Sequence, residues 1–226
     1  MTSKSQIDLP GLGRLFVPDA RDLDYPATKL LPLKAEFRTY RYWNDTGWWG
    51  DQGQTPQCVG YAWTHWLEDG PVTQGGVPPI LKPETIYHEA QKIDEWPGEN
   101  YDGTSVRAGA KVLQSRGFIS SYHWAMNIDE VIHCLLNIGP MVMGTNWYSS
   151  MFEPNDDNII EVRGTRPAGG HAYDANGINL IRGWIRIKQS WGRSWANHGH
   201  AYMYIEDFER LLNENGEACI AQEVRK

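Results

Sequence analysis

Cys58 is the residue around which chemistry can be built. It opens a stretch in which Val59, Ala62, Trp63, Trp66 and Leu67 recur at i, i+3, i+4, i+7 and i+8, one apolar face with helical period. A thiol at the head of a helix feels the partial positive charge of the free N–H groups there, which favours the thiolate, the nucleophilic form. A thiolate needs an imidazole to hold the charge pair and to protonate a leaving amine. His171 follows two glycines, which leave the ring sterically open, and the amide of Gln189 on the next strand could accept from its second nitrogen and orient it. Gln52 lies six residues before Cys58, across a turn containing Gly53 and Pro56. Its amide could donate to the oxyanion formed when sulfur attacks a carbonyl, with the Cys58 backbone N–H as second donor. Taken singly, Cys58 also suits a small buried core position and Gln52 a solvated turn. The combination points to acyl chemistry on a carbonyl.

These four residues need elements to position them. The polar turn DQGQTPQ precedes the Cys58 helix and Gly70-Pro71 stops it. Pro83 can open a second helix carrying Ile86, Tyr87 and Ala90. Thr104 or Ser105 can cap a third, with Val106, Ala110 and Leu113 inward and Gly117 at its end. Asn127, with Glu130 three residues on, starts a fourth, filled by Val131, Ile132, Leu135 and Leu136. The pattern then changes. GPMVMGTNWY reads as a strand, Ile185 and Ile187 alternate with Trp184, Arg186 and Lys188, and AYMYI is a further run. A short helix, EDFERLL, and a last strand, ACIAQEV, close the chain. Helices first and strands second predict an α+β fold with two lobes that meet: a helical lobe over about 50–137 and a β lobe over about 138–226. Residues 1–32 hold Pro and Asp without a clear period and read as an extended arm lying on the fold; residues 33–226 form the domain, the segment before the helical lobe going with the β lobe.

Composition excludes other classes. The chain of 226 residues carries a net charge of -7 and no lysine-arginine cluster to neutralise a row of phosphates, so no nucleic-acid partner is expected. No apolar run approaches the roughly 20 residues that cross a bilayer, so no membrane role is expected. The N-terminus lacks an apolar segment long enough for a secretory signal, which predicts a cytoplasmic protein. Cys58, Cys134 and Cys219 show no CxxC spacing and argue against a disulfide framework or structural zinc. His198 and His200 have no evident acidic or cysteine partner, and His133 and Cys134, being adjacent on a helix, cannot both face one site. Neither a metal nor another cofactor is expected.

From about Leu31 to its end the chain resembles the papain-like cysteine peptidases. DQGQTPQCVGYAW is similar to the family's active-site segment, GPMVMGTNWY to the strand that opens its β lobe, GGHAYDANG to its histidine segment and KQSWGRSWANHGHAYM to its Asn-Ser-Trp-Gly stretch. The resemblance implies a papain-like fold: a helical left lobe whose central helix starts at the cysteine, a β-barrel-like right lobe, and an active-site cleft between them. It implies Cys58 as nucleophile, His171 as general base and acid, Gln52 as oxyanion donor, Trp191 as a shield for His171, and Trp195 as an aromatic on the leaving-group side. Gly103 stands where the family hydrogen-bonds the substrate backbone. The implied activity is endopeptidase hydrolysis of a peptide or protein substrate through an acyl-enzyme. Four departures accompany it: Gln57 and Val59 flank the nucleophile where the family usually has a small residue and an aromatic, and three more follow. Gln189 replaces the usual asparagine, Thr55 a cysteine that is often disulfide-bonded, and the arm is too short for the long inhibitory propeptide of secreted members. Gln189 motivates an alternative, a catalytically impaired peptide-binding protein; an acyltransferase or amidase on the same scaffold is a third reading.

Overall fold

The computed structural model describes residues 9–30, 37–44, 48–72 and 76–224. Five helices and eight strands are defined among them: β1 (Tyr40–Tyr42), α1 (Cys58–Asp69), α2 (Pro83–Gln91), α3 (Val106–Ser115), β2 (Ile119–Trp124), α4 (Ile128–Asn137), β3 (Met141–Trp147), β4 (Ile159–Ile160), β5 (Gly169–Asn179), β6 (Trp184–Lys188), β7 (His200–Tyr204), α5 (Ile205–Asn213) and β8 (Glu217–Glu223). The local signals act as read. Ser105 accepts from the Ala108 N–H at the head of α3. Asn127 accepts from the Glu130 N–H while Glu130 reaches back to the Met126 N–H, closing the start of α4.

The sheet runs in the order β2-β8-β3-β5-β6-β7-β4, with β1 added to β5. Its pairings are antiparallel except for β4 with β7. Side chains alternate along a strand, so each strand supplies both faces. On β3, Met141 and Met143 join one core and Val142 the other; on β8, Ala218 and Ile220 divide from Cys219 and Ala221 in the same way. Helices α1, α2 and α3 cover one face. The other face packs on α4 and α5.

That division corrects the lobe boundary near residue 137. Val131, Cys134 and Leu135 of α4 belong to the core of the β lobe, and β2 pairs with β8 at the far end of the chain. Sequence order suggested a helical half, but β2 and α4 are drawn across by partners that lie downstream.

Every residue of α1 is buried, including its polar ones. The periodicity marks only the apolar face; the polar side finds partners instead of water. Thr64 donates to the carbonyls of Gly60 and Leu81, His65 Nε2 accepts from the Gly50 N–H, and Glu68 accepts from the Gly76 N–H. Asp69 accepts from Lys188 Nζ and from Asn176 Nδ2, each at 2.6 Å. Asn176 is the extra residue of a bulge in β5 against β6, which aims its side chain at α1. Among the described residues no helix is long and apolar enough to cross a membrane.

Two close approaches admit no side chain. A Cβ on Gly60 of α1 would lie 2.3 Å from the Pro83 carbonyl oxygen at the head of α2, and one on Gly109 of α3 would lie 2.3 Å from the Trp63 ring. Gly60→Ala is therefore expected to push α2 off α1 and to cost about 1–3 kcal/mol in a urea titration. A loss under about 0.5 kcal/mol, the range of a neutral surface change, would show that the helices are not in that contact.

Candidate active site

The local turn places Cys58 at the first position of α1, after Gln57, which offers no side-chain cap. The sulfur is fully buried and faces the backbone N–H groups of Ala172, Gly13 and Val59. Ala172 follows His171 on β5, so the thiol lies one residue from the imidazole-bearing position. His171 Nε2 donates to Gln189 Oε1 at 2.8 Å. The extra methylene of glutamine therefore does not keep the side chain from the ring. His171 Nδ1 is buried and makes no hydrogen bond to a described residue, which leaves it as the nitrogen for the thiol.

Aromatic rings enclose this pair. Trp191 stacks on His171 at 5.0 Å and 25°, and Trp147 meets it edge-on at 4.8 Å. Trp195 packs edge-on against Trp191, its indole N–H held by the Phe152 carbonyl. Trp147 carried no sequence signal beyond lying in a strand, because its role depends on β3 pairing with β5, where Asn146 sits opposite Gly170.

Gln52 is positioned by a zipper between two loops. Its N–H donates to the Ser190 carbonyl at 2.8 Å, Asp51 bridges Trp191, and the Gly192 N–H donates to Gly50. Ser190 Oγ donates to Gln52 Oε1, which turns the Gln52 amide nitrogen the other way. Ser190 was invisible as an orienting residue in the sequence, since its partner is 138 residues away.

The arm is where structure and expectation diverge most. Residues 9–19 do not simply lie on the fold; they run through the site. The Gly13 and Arg14 N–H groups both donate to the Gly170 carbonyl, at 3.1 and 3.0 Å. Thr104 donates to the Gly13 carbonyl and accepts from the Leu15 N–H. Gln52 Nε2, the expected oxyanion donor, donates to the Gly11 carbonyl at 3.0 Å and to Thr55 at 2.7 Å. Short as it is, the arm fills the groove. Glycines make this passage: a Cβ on Gly11 would lie 2.1 Å from the Thr55 oxygen and one on Gly13 2.0 Å from the Pro56 oxygen.

Gly103 takes a different part from the one the resemblance implies. Its N–H is engaged by the Tyr87 hydroxyl, and Thr104 makes the main-chain bonds to the arm. Gly103 matters for what it lacks: its φ is +101°, and a Cβ there would stand 2.4 Å from the Gly13 oxygen.

Enclosure governs the charge state. Burial pushes the Cys58 thiol up to about 11, against the pull of the three N–H groups on the sulfur. It pushes His171 down to about 4, with the Gln189 bond opposing. Burial thus opposes both charged forms, against the thiolate that the helix N-terminus favours.

No family model and no curated protein matches this chain. Solved structures do. Xylellain, a cysteine protease from Xylella fastidiosa, superposes with a TM-score of 0.71 at 19% identity, over 96% of this chain and 98% of that one. Procathepsin L 3 of Tenebrio molitor larval midgut gives 0.65 at 13% identity, over 95% and 76%. The Carica candamarcensis cysteine protease CMS1MS2, in complex with E-64, gives 0.63 at 14% identity, over 84% and 100%. Helices, sheet and order of elements together are those of the papain-like cysteine protease fold.

Proposed function

We propose that the chain is a cysteine-type endopeptidase held latent by its own residues 11–15. The observation that carries this reading is the buried Cys58 thiol at the head of α1, facing the N–H of Ala172, the residue that follows a His171 held by Gln189. Once the arm leaves, water re-enters and the ion pair becomes accessible. His171 Nδ1 takes the thiol proton and Cys58 Sγ attacks the peptide carbonyl carbon. The Cys58 N–H and the Gln52 amide meet the oxyanion. Collapse expels the amine, which leaves with the proton from His171. Water, deprotonated by His171, then cleaves the thioester and restores the thiol. Trp191 keeps bulk water from the His171–Gln189 bond. Thr55, standing where secreted relatives of this fold carry a cysteine, and the free thiols fit work in the cytoplasm.

The 2.8 Å bond from His171 to Gln189 supports the peptidase reading over a catalytically impaired peptide-binding protein. Gln189→Leu is expected to lower kcat by ~10²-fold with little change in KM, the loss typical of a misplaced general base. An unchanged kcat would reject the positioning role. Transfer to an added amine, seen by product analysis, would favour the acyltransferase reading.

Latency is tested with the full chain. Gly13→Val puts a side chain on the Pro56 carbonyl and is expected to expel the arm. Cys58 in the native chain should alkylate faster with rising pH up to about 11, because only the thiolate reacts. In Gly13→Val the midpoint should fall by at least ~2 units, and peptide hydrolysis should appear that Cys58→Ala abolishes. Equal midpoints in the two chains would show that the arm does not set the thiol's state.

A further inference from the structure

Gln189 holds the His171 ring through one end of its amide. Its Oε1 accepts from His171 Nε2 at 2.8 Å and from the Ser190 N–H at 3.3 Å, while its Nε2 is buried without a hydrogen bond to a described residue. Glutamine has one more rotatable bond than asparagine, so the carbonyl at its tip keeps its place only if the root of the side chain is fixed. The Gln189 N–H donates to the Gly199 carbonyl at 3.0 Å. Gly199, at φ +88°, is where the Trp49 indole rests: a Cβ there would stand 2.2 Å from Trp49 Nε1. The Lys188 ammonium lies 4.4 Å from the centre of the same indole and 2.6 Å from Asp69 Oδ1. Neither the Lys188 nor the Asp69 side chain has any exposure. Trp49 is therefore wedged between the residue before Gln189 and the residue that the Gln189 N–H holds.

Stability alone is a poor account of this ammonium, because an apolar pair of similar volume often serves a buried site as well as an ion pair does. Its connections give a better one. Lys188 reaches Asp69, which ends the helix that Cys58 opens, and Trp49, which stands three residues before Gln52. Resting on the peptidase reading above, we infer that Lys188 and Trp49 are positioning residues of the site, which fix the root of Gln189 and through it the tautomer and orientation of the His171 ring. With the Nε2 proton committed to Gln189, Nδ1 is the nitrogen left to take the thiol proton. If the root of Gln189 loosens, the proton divides between the two ring nitrogens, and the fraction carrying it on Nδ1 has no base to offer the thiol.

The test uses the full chain and two changes. One is Trp49→Leu, at a half-buried position. The other is Lys188→Met together with Asp69→Asn, which removes both charges of the pair and leaves Asn176 an acceptor. The first readout needs no turnover. In chains carrying Cys58→Ala, with isotope-labelled histidine, NMR reads which ring nitrogen of His171 holds the proton at about pH 8, well above the value of about 4 to which burial pushes this ring. Without either change the proton should sit on Nε2. Both changes should shift the signals towards a mixed tautomer, as Gln189→Leu does. The second readout is peptide hydrolysis in the Gly13→Val chain with Cys58 intact. Each change should lower kcat at least ~10-fold with KM within ~2-fold, and should cost nothing further once Gln189→Leu is present, because it acts through that residue. An unchanged tautomer with both changes overturns the assignment, whether or not the chain hydrolyses peptides. So do losses that add in full to that of Gln189→Leu, which would mark a general structural role. A mixed tautomer with the changes, in a chain that hydrolyses no peptide at all, would instead overturn the peptidase reading and leave the positioning of His171 standing.

Discussion

The structure depends on one helix laid along one strand and fixed at both ends. At the head of α1 the Cys58 sulfur meets the Ala172 N–H of β5; at its tail Asp69 takes the Asn176 amide of β5 and the Lys188 ammonium of β6. Eleven helical steps from Cys58 to Asp69 span about 16–17 Å. Four strand steps from Ala172 to Asn176 span about 13–14 Å. The near match lets both ends engage, with the bulge at Asn176 turning its side chain to the helix tail. It also links the chemistry to the clamp, because His171 precedes Ala172 and Gln189 follows Lys188. The clamp is costly to assemble: burial and the neighbouring Asp69 push the Asp174 carboxyl well above the ordinary range.

The same burial works against the ion pair that the arrangement suits. The helix N-terminus favours a thiolate by a fraction of what full desolvation opposes. What decides the balance is whether water reaches the sulfur, and that is decided by a few glycines in the arm and its groove. Gly11, Gly13, Gly103 and Gly170 let two backbones approach where a methyl group would not fit. Main-chain packing thus sets how deeply the sulfur is buried.

Much of this was legible in the sequence because it is local. The Cys58 helix, the Ser105 and Asn127 caps and the alternation at Ile185 and Ile187 each follow from neighbours within a few residues. Cys58, His171, Gln189 and Gln52 are candidates by residue type and by the segments around them. What escaped was non-local. The burial of the polar side of α1 was not announced, since nothing near it in sequence points to Lys188 or Asn176. Ser190 and Trp147 act through residues far along the chain. The path of the arm could not be read because it is set by clearances at Pro56, Thr104 and Gly170, and clearance has no sequence pattern.

Beyond Arg14 the arm is moored again: Arg107 pairs with Asp22 and Glu95, and Asp19 stands within 4.0 Å of its guanidinium. Residues 11–15 that peel out of the groove therefore remain leashed beside it. A leashed segment rebinds at an effective concentration in the millimolar range, whatever the protein concentration in the cell. On the proposed latent reading, dilution does not open the groove, and a free peptide competes against a rival that never diffuses away. Severing the leash between Leu15 and Asp19 would change the order of that competition from unimolecular to bimolecular, and a single cut would make occlusion fade with dilution.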